Sequence, residues 1–306
     1  MRNFRLKVIQ PLSLVGFCWL LCTSFFFYEN TSRSPSFETV PTPWADSVLC
    51  ELSVEEKIGQ LFMVAAYSNR GYEHKEHLTE LIEKHHIGGL IFFQGTPHRQ
   101  LELTRYFQET SELPLLIGMD AEWGARMRLD SMPRYPRAMM LGAADVEHTY
   151  QTALAAGREL RALGVHVSFS PVLDVNNNPE NPVINSRSFG ELPGRVGRYG
   201  ESYYKGLRDA GLIAVAKHFP GHGDTDVDSH LDLPVLQRTK AELDAVELLP
   251  FKRAIASGIP GVMVAHMNVP ALDSSALLPA SLSKPIVTGV LREELGFEGL
   301  IFTDAL

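Results

Sequence analysis

Short apolar runs recur along the chain: Leu61–Ala66, Leu90–Phe93, Leu115–Met119, Val165–Val172, Leu212–Ala216, Gly261–Ala265 and Gly299–Phe302. Each is continuous rather than alternating, as parallel strands covered on both faces require. Longer stretches of helical character separate or follow them, near Ser53 and at His74–His86, Arg99–Ser111, Asp145–Leu163, Arg195–Ala210, Thr239–Ser257 and Lys284–Leu295. Ser53-Val54-Glu55-Glu56 has the spacing of a capping box. In the clearest helix, Asp145 stands at the cap, Tyr150, Leu154, Gly157 and Leu160 give an apolar face, and Gly164 stops the run. Repeated strand–helix units predict an α/β fold with a parallel sheet, open or closed.

The polar residues decide between the two. Asp120, Glu122 and Arg128 follow the third run, Asp174 and Arg187 the fourth, Lys217 and His218 the fifth, His266 the sixth and Asp304 the seventh. An open doubly wound sheet gathers its site at one switch point, often behind a glycine-rich first turn. The first turn here, Tyr67-Ser68-Asn69-Arg70, has no glycine. Chemistry converging from the ends of most strands predicts a (β/α)8 TIM-type barrel. Seven strands are legible before Leu306, so the expected architecture is a barrel truncated after its seventh strand, with further sequence following.

A hydrophobic content of 45% over 306 residues supports a substantial core. The formal net charge of -8 argues against a nucleic-acid partner, which would need a basic face. Arg2, Arg5 and Lys7 precede an apolar stretch reaching Tyr28, so residues 1–28 are expected to be a signal peptide or signal-anchor. Residues 29–43, with three prolines, are expected to be a linker, and residues 44–306 the globular domain. The domain is then exported, periplasmic or on the outer surface, and touches a membrane only through its N-terminal segment. Cys18 and Cys22 lie in the apolar segment, which leaves Cys50 without an intramolecular disulfide partner in the globular part.

Candidate chemistry is densest in Lys217–Pro234, KHFPGHGDTDVDSHLDLP, which places three histidines and four aspartates between His218 and Asp232. On residue type alone, His218, His222, Asp224, Asp226, Asp228 and His230 could serve a metal-dependent hydrolase. Their spacing matches no compact ligand pattern, and Lys217 beside them opposes a cation, so neither metal nor other cofactor is expected. Asp174 is expected to act as a helix-cap or turn residue, and His222 to hold the loop. His266 reads equally well as a satisfied core histidine and stays outside the site.

Five segments, EEKIGQLFM, IGMDAEWG, NPVINSRSFG, KHFPGHGDTDVDSH and IFTDAL, occur in that order. On these the chain resembles glycoside hydrolase family 3, in its bacterial β-N-acetylhexosaminidase branch, from Leu52 to Leu306. The resemblance implies a retaining, exo-acting enzyme that removes terminal N-acetylglucosamine-type sugars from a carbohydrate partner such as peptidoglycan or other glycan fragments. It implies Asp304 as nucleophile, His230 as general acid/base and Asp228 as the carboxylate partner of His230. Asp120 and Arg128, with Arg187, Lys217 and His218, match sugar-binding positions. Trp123 and Ala125 replace glycine and arginine of the usual Asp-x-Glu-Gly-Gly-Arg segment, while Arg128 keeps its spacing. The implied roles suit the chemistry, since retention needs a carboxylate on one face of the anomeric carbon and a proton donor on the other. A histidine can give and retake that proton near neutrality. The alternatives are the metal-dependent hydrolase and a catalytically silent glycan-binding barrel.

Overall fold

The computed structural model describes residues 41–225, 233–275 and 278–304. Within them run seven strands: β1 Met63–Ala66, β2 Gly89–Phe92, β3 Leu116–Met119, β4 Val167–Ser168, β5 Ile213–Phe219, β6 Gly261–Val264 and β7 Leu300–Thr303. Each pairs in parallel with the next, so the order across the sheet is the order in the chain. Such a singly wound sheet has no point where the strand order reverses, unlike a doubly wound one.

Two apolar layers show that the sheet curls. The larger one lies between the strands and the helices outside them, and includes Phe92, Phe107, Leu160, Phe219 and Phe251. The smaller one joins Val167, Phe169, Val215 and Met263 with Met63, Ile91, Ile213 and Phe302. These side chains come from β1, β2, β5, β6, β7 and the β4 region, yet they form one cluster. Phe169 and Phe302 meet edge to face with ring centroids 5.3 Å apart. A Cβ on Gly118 of β3 would lie 2.8 Å from the Phe169 ring and 3.0 Å from the Met63 methyl carbon, so only glycine fits there. The fold is therefore α/β, with seven parallel strands curled around a filled interior in the manner of a TIM barrel.

Local sequence accounts for most element ends. Ser53 accepts from the Glu56 N–H at 3.2 Å while the Glu56 carboxylate accepts from the Ser53 N–H at 2.7 Å, completing the expected box. Asp145 caps helix Val146–Ala162, whose buried face is Thr149, Ala153, Ala156, Gly157 and Leu160; Tyr150 and Leu154 flank it. The expected helix at residues 239–257 is two helices, Lys240–Ala245 and Leu248–Ala256, with Val246 and Glu247 between them. Pro250 contributes to this break, because it has no N–H to donate to Val246. The segment Pro285–Glu294 is helical with π-type bonding. A helix at Pro43–Glu51, partly inside the expected linker, has no counterpart in the sequence-based expectations.

Strands four and five depart most from expectation. The β4 ladder covers only Val167–Ser168, and Val172 rejoins β5 through a single bridge to Lys217. Strand β5 instead runs two turns of the pleat further, through Lys217 and His218 to Phe219. Its register against β6 shifts between Ala216 and Phe219. The peptide bonds Lys217–His218 and Phe219–Pro220 are cis. Among the described residues no helix is long and apolar enough to cross a membrane, and the segment expected to be a signal or anchor lies outside them.

Candidate active site

The C-terminal ends of β3, β5 and β7 and the segments after β3 and β4 bring the predicted polar residues together. Asp120, directly after β3, accepts from the Lys217 ammonium at 2.7 Å through Oδ1 and from Arg128 Nη2 at 2.9 Å through Oδ2. Two residues on, Glu122 accepts from Arg187 Nη2 at 2.8 Å and Nε at 3.0 Å, a bidentate pair. The same carboxylate lies 2.9 Å from Lys217 Nζ. Lys217 is thus clamped between two carboxylates with its side chain 3% exposed. The Tyr203 hydroxyl donates to the Glu122 carbonyl at 3.0 Å and fixes the segment from the helix side.

A second group adjoins the first. Arg187 Nη2 lies 3.2 Å from His218 Nε2, and His218 Nδ1 lies 2.6 Å from Asp174 Oδ2. Asp174 Oδ1 accepts from the His222 backbone N–H at 2.6 Å. Asp174 is fully buried and binds His218 and the His222 backbone across two strand ends, so its expected role as a helix-cap or turn residue is incorrect. Glycine at 223 permits this packing: a Cβ there would lie 1.7 Å from the Val175 carbonyl oxygen. Asn181 completes the loop's anchorage, donating to the His222 and Gly223 carbonyls at 2.8 and 3.1 Å.

Burial and charge oppose one another throughout this mouth. Burial alone would raise the Glu122 carboxyl, but Lys217 and Arg187 outweigh it and hold the group well below the usual carboxylate range. Asp120 behaves likewise, with Lys217 and Arg128 overcoming its burial. Burial would discharge Lys217, yet Asp120 and Glu122 raise its affinity for a proton. Asp174 is held low against its burial by the His218 and His222 groups that face it. His222 is pushed down by burial and then by His218, while Asp174 and Asp304 pull the other way. His222 is neutral near pH 7, its Nδ1 sharing a 2.6 Å bond with Thr225 Oγ1. Its expected loop-holding role agrees with these contacts.

Asp304 leaves the end of β7, where its N–H donates to the Val264 carbonyl at 2.9 Å. Its charge acts on His222, which places it beside the same mouth. Asp228 and His230 lie outside the described residues. Asp224, an alternative metal ligand, is paired with Arg238. Among the described residues no cluster of three or more His, Cys, Asp or Glu could hold a metal ion. His266 shares a 3.0 Å bond with Ser281. The predicted site residues Asp120, Arg128, Arg187, Lys217 and His218 therefore form one connected group. Glu122 and Asp174, absent from the predicted site, are its internal supports. Their signal in the sequence was position: Glu122 stands two residues past Asp120, and Asp174 two residues past the apolar run Val165–Val172.

Comparison with known proteins identifies the family. A β-hexosaminidase A from Pseudoalteromonas piscicida is 40% identical over 254 residues, covering 75% of this chain and 42% of that protein. A β-hexosaminidase from Nitrosospira multiformis is 38% identical over 231 residues, covering 72% of this chain and 65% of its own length. The structure of a glycoside hydrolase family 3 β-N-acetylglucosaminidase from Paenibacillus sp. FPU-7 superposes with a TM-score of 0.78 at 41% identity, covering 83% of this chain and 49% of that one. The chain thus spans 42–65% of the length of these relatives. Residues 53–306 match the glycosyl hydrolase family 3 N terminal domain, and the chain belongs to that family.

Proposed function

We propose that this chain carries the sugar pocket and nucleophile of a retaining, exo-acting β-N-acetylhexosaminidase that releases terminal N-acetylglucosamine-type sugars. The observation that carries this is that Asp304 leaves the end of β7 within electrostatic reach of His222, whose backbone N–H is bound to Asp174 beside the Asp120–Lys217–Glu122–Arg187–His218 network. Vicinal sugar hydroxyls each donate and accept, and this mouth offers both kinds of group on rigid strand ends. Asp304 would attack the anomeric carbon as the glycosidic bond breaks, while His230, oriented by Asp228, gives a proton to the leaving oxygen. Water then attacks the glycosyl ester, His230 takes its proton and Asp304 leaves. The named activities of the relatives favour an N-acetylated sugar over glucose.

A fluorinated, slow-turnover N-acetylglucosaminide incubated with the full-length protein should add one glycosyl mass to the peptide containing Asp304. Active enzyme with the label on another carboxylate would refute Asp304 as nucleophile. Export through residues 1–28 belongs to the same proposal, and cell fractionation checks it: the domain should lie outside the cytoplasm.

A further inference from the structure

Hydrogen-bond direction around His218 follows from chemistry that leaves no choice. A guanidinium only donates and a carboxylate only accepts. Arg187 Nη2 uses one hydrogen on Glu122 at 2.8 Å and faces His218 Nε2 at 3.2 Å with the other. His218 Nε2 must therefore present its lone pair, because two N–H groups cannot share one bond. On the other side, Asp174 Oδ2 lies 2.6 Å from His218 Nδ1, which must carry the hydrogen. The ring is held as the neutral Nδ1–H tautomer, and the chain of bonds runs from Arg187 through His218 to Asp174.

Resting on the glycosidase reading above, we propose that Asp174 is a positioning residue that fixes this tautomer, so that the His218 Nε2 lone pair receives Arg187 and holds its guanidinium in place for the sugar. Lys217 and Arg187 are then two donors of fixed direction, the first anchored on Asp120 and Glu122 and the second on Glu122 and His218. Buried carboxylates commonly set a histidine's tautomer by binding the nitrogen remote from the reaction. Asp174 does a second task with the same group. Its Oδ1 accepts the His222 N–H at 2.6 Å, and the His218 N–H lies 3.3 Å from both oxygens.

Three N–H groups therefore converge on one carboxylate, and this makes asparagine an informative replacement. Asparagine has the same size but only one acceptor oxygen. If that oxygen keeps His222, the amide NH2 faces His218 Nδ1 and drives the ring to the Nε2–H form. That form then points a hydrogen at Arg187, and both groups must move. The opposite orientation would set the NH2 against the buried His222 N–H, which unlike the imidazole has no second form to take, so the oxygen stays with His222.

Long-range 1H–15N correlation spectra of the full-length protein labelled at histidine nitrogen read the tautomer directly, with His218→Gln assigning the signal. At neutral pH the wild-type ring should show the neutral Nδ1–H pattern. An Nε2–H or imidazolium pattern would overturn the proposal without any variant being made. Asp174→Asn should convert the ring to Nε2–H and raise KM for a nitrophenyl N-acetylglucosaminide about tenfold to a hundredfold, with kcat changed much less. That split marks an interaction made equally in ground and transition states. An unchanged tautomer in Asp174→Asn, or a fall in kcat alone, would also overturn the assignment. Wild-type protein with the expected tautomer but no turnover would refute the glycosidase function and leave the Asp174–His218 assignment standing.

Discussion

Replacing Glu122 by glutamine tests whether the charges at the mouth form one unit. Five charged groups are in contact there, Asp120 and Glu122 against Lys217, Arg128 and Arg187. Glutamine keeps the shape but leaves one carboxylate to serve three cations, and turns an NH2 toward donors. Breaking a buried ion pair by neutralising one partner costs about 3–5 kcal/mol, because the other charge stays buried. Against a typical total of about 5–15 kcal/mol the protein should still fold. Taking about 2–4 °C per kcal/mol for a domain of this size, Tm should drop by about 6–20 °C. Lys217→Met alone should cost less, about 1–3 kcal/mol. Asp120 then keeps Arg128 and Glu122 keeps Arg187. In the double variant the lost cation relieves part of the positive excess, so its loss should fall short of the sum by about 1–3 kcal/mol. Urea unfolding of the four proteins closes the cycle. Additivity within about 0.5 kcal/mol would refute the idea that Glu122 and Lys217 are coupled.

Acid should destabilise the fold through the same carboxylates. Glu122 and Asp120 are held below their ordinary values of 4.5 and 3.8, so the unfolded chain takes up protons that the folded one refuses. Their contribution is complete above about pH 4.5 and is lost as pH falls toward their depressed folded values. Urea midpoints measured from about pH 6 to about pH 3 should fall more steeply for wild type than for Glu122→Gln. Gly223→Ala must push the loop off the Val175 carbonyl, 1.7 Å from the new carbon, and loosen the adjoining His222–Asp174 bond. Its kcat/KM should fall at least tenfold, and an unchanged value would show that the loop is not seated on that carbonyl.

Sheet order and the residues at the mouth were legible because they rest on local rules. Apolar runs such as Leu90–Phe93 and Gly261–Ala265 found their strands to within a residue or two, since full burial leaves no other use for them. Asp120, Lys217 and Arg187 were legible because a charge just past an apolar strand has few structural excuses. The extent of β5 was not, because Lys217, His218 and Phe219 read locally as the start of a loop. Only the partners supplied by the segments after β3 and β4 let a lysine and a histidine stay inside a buried strand. Asp174 was misread for a related reason: its three donors come from positions 44 and 48 residues away. The break at Val246–Glu247 had a local marker in Pro250, but it was outweighed by the helical character on both sides.

The placement of charge separates what holds this fold from what the fold holds. Helix-surface pairs such as Lys84–Glu80 and Lys240–Asp244 are well exposed and each worth only about 0.3–0.5 kcal/mol. Among the described residues, the Lys and Arg ion pairs with both side chains less than a quarter exposed all lie at the mouth: Asp120 with Arg128 and Lys217, and Glu122 with Arg187 and Lys217. Burying charges in this way seldom stabilises more than apolar side chains of similar size would. A core selected for stability alone would place leucine and phenylalanine here, as the neighbouring interior layer does with Phe169 and Phe302. The charged groups instead fix one another's positions, so that lysine and arginine present donors without reorganising. A polar ligand then gains its contacts without ordering the groups that make them, and preorganisation of that kind is what a sugar pocket needs.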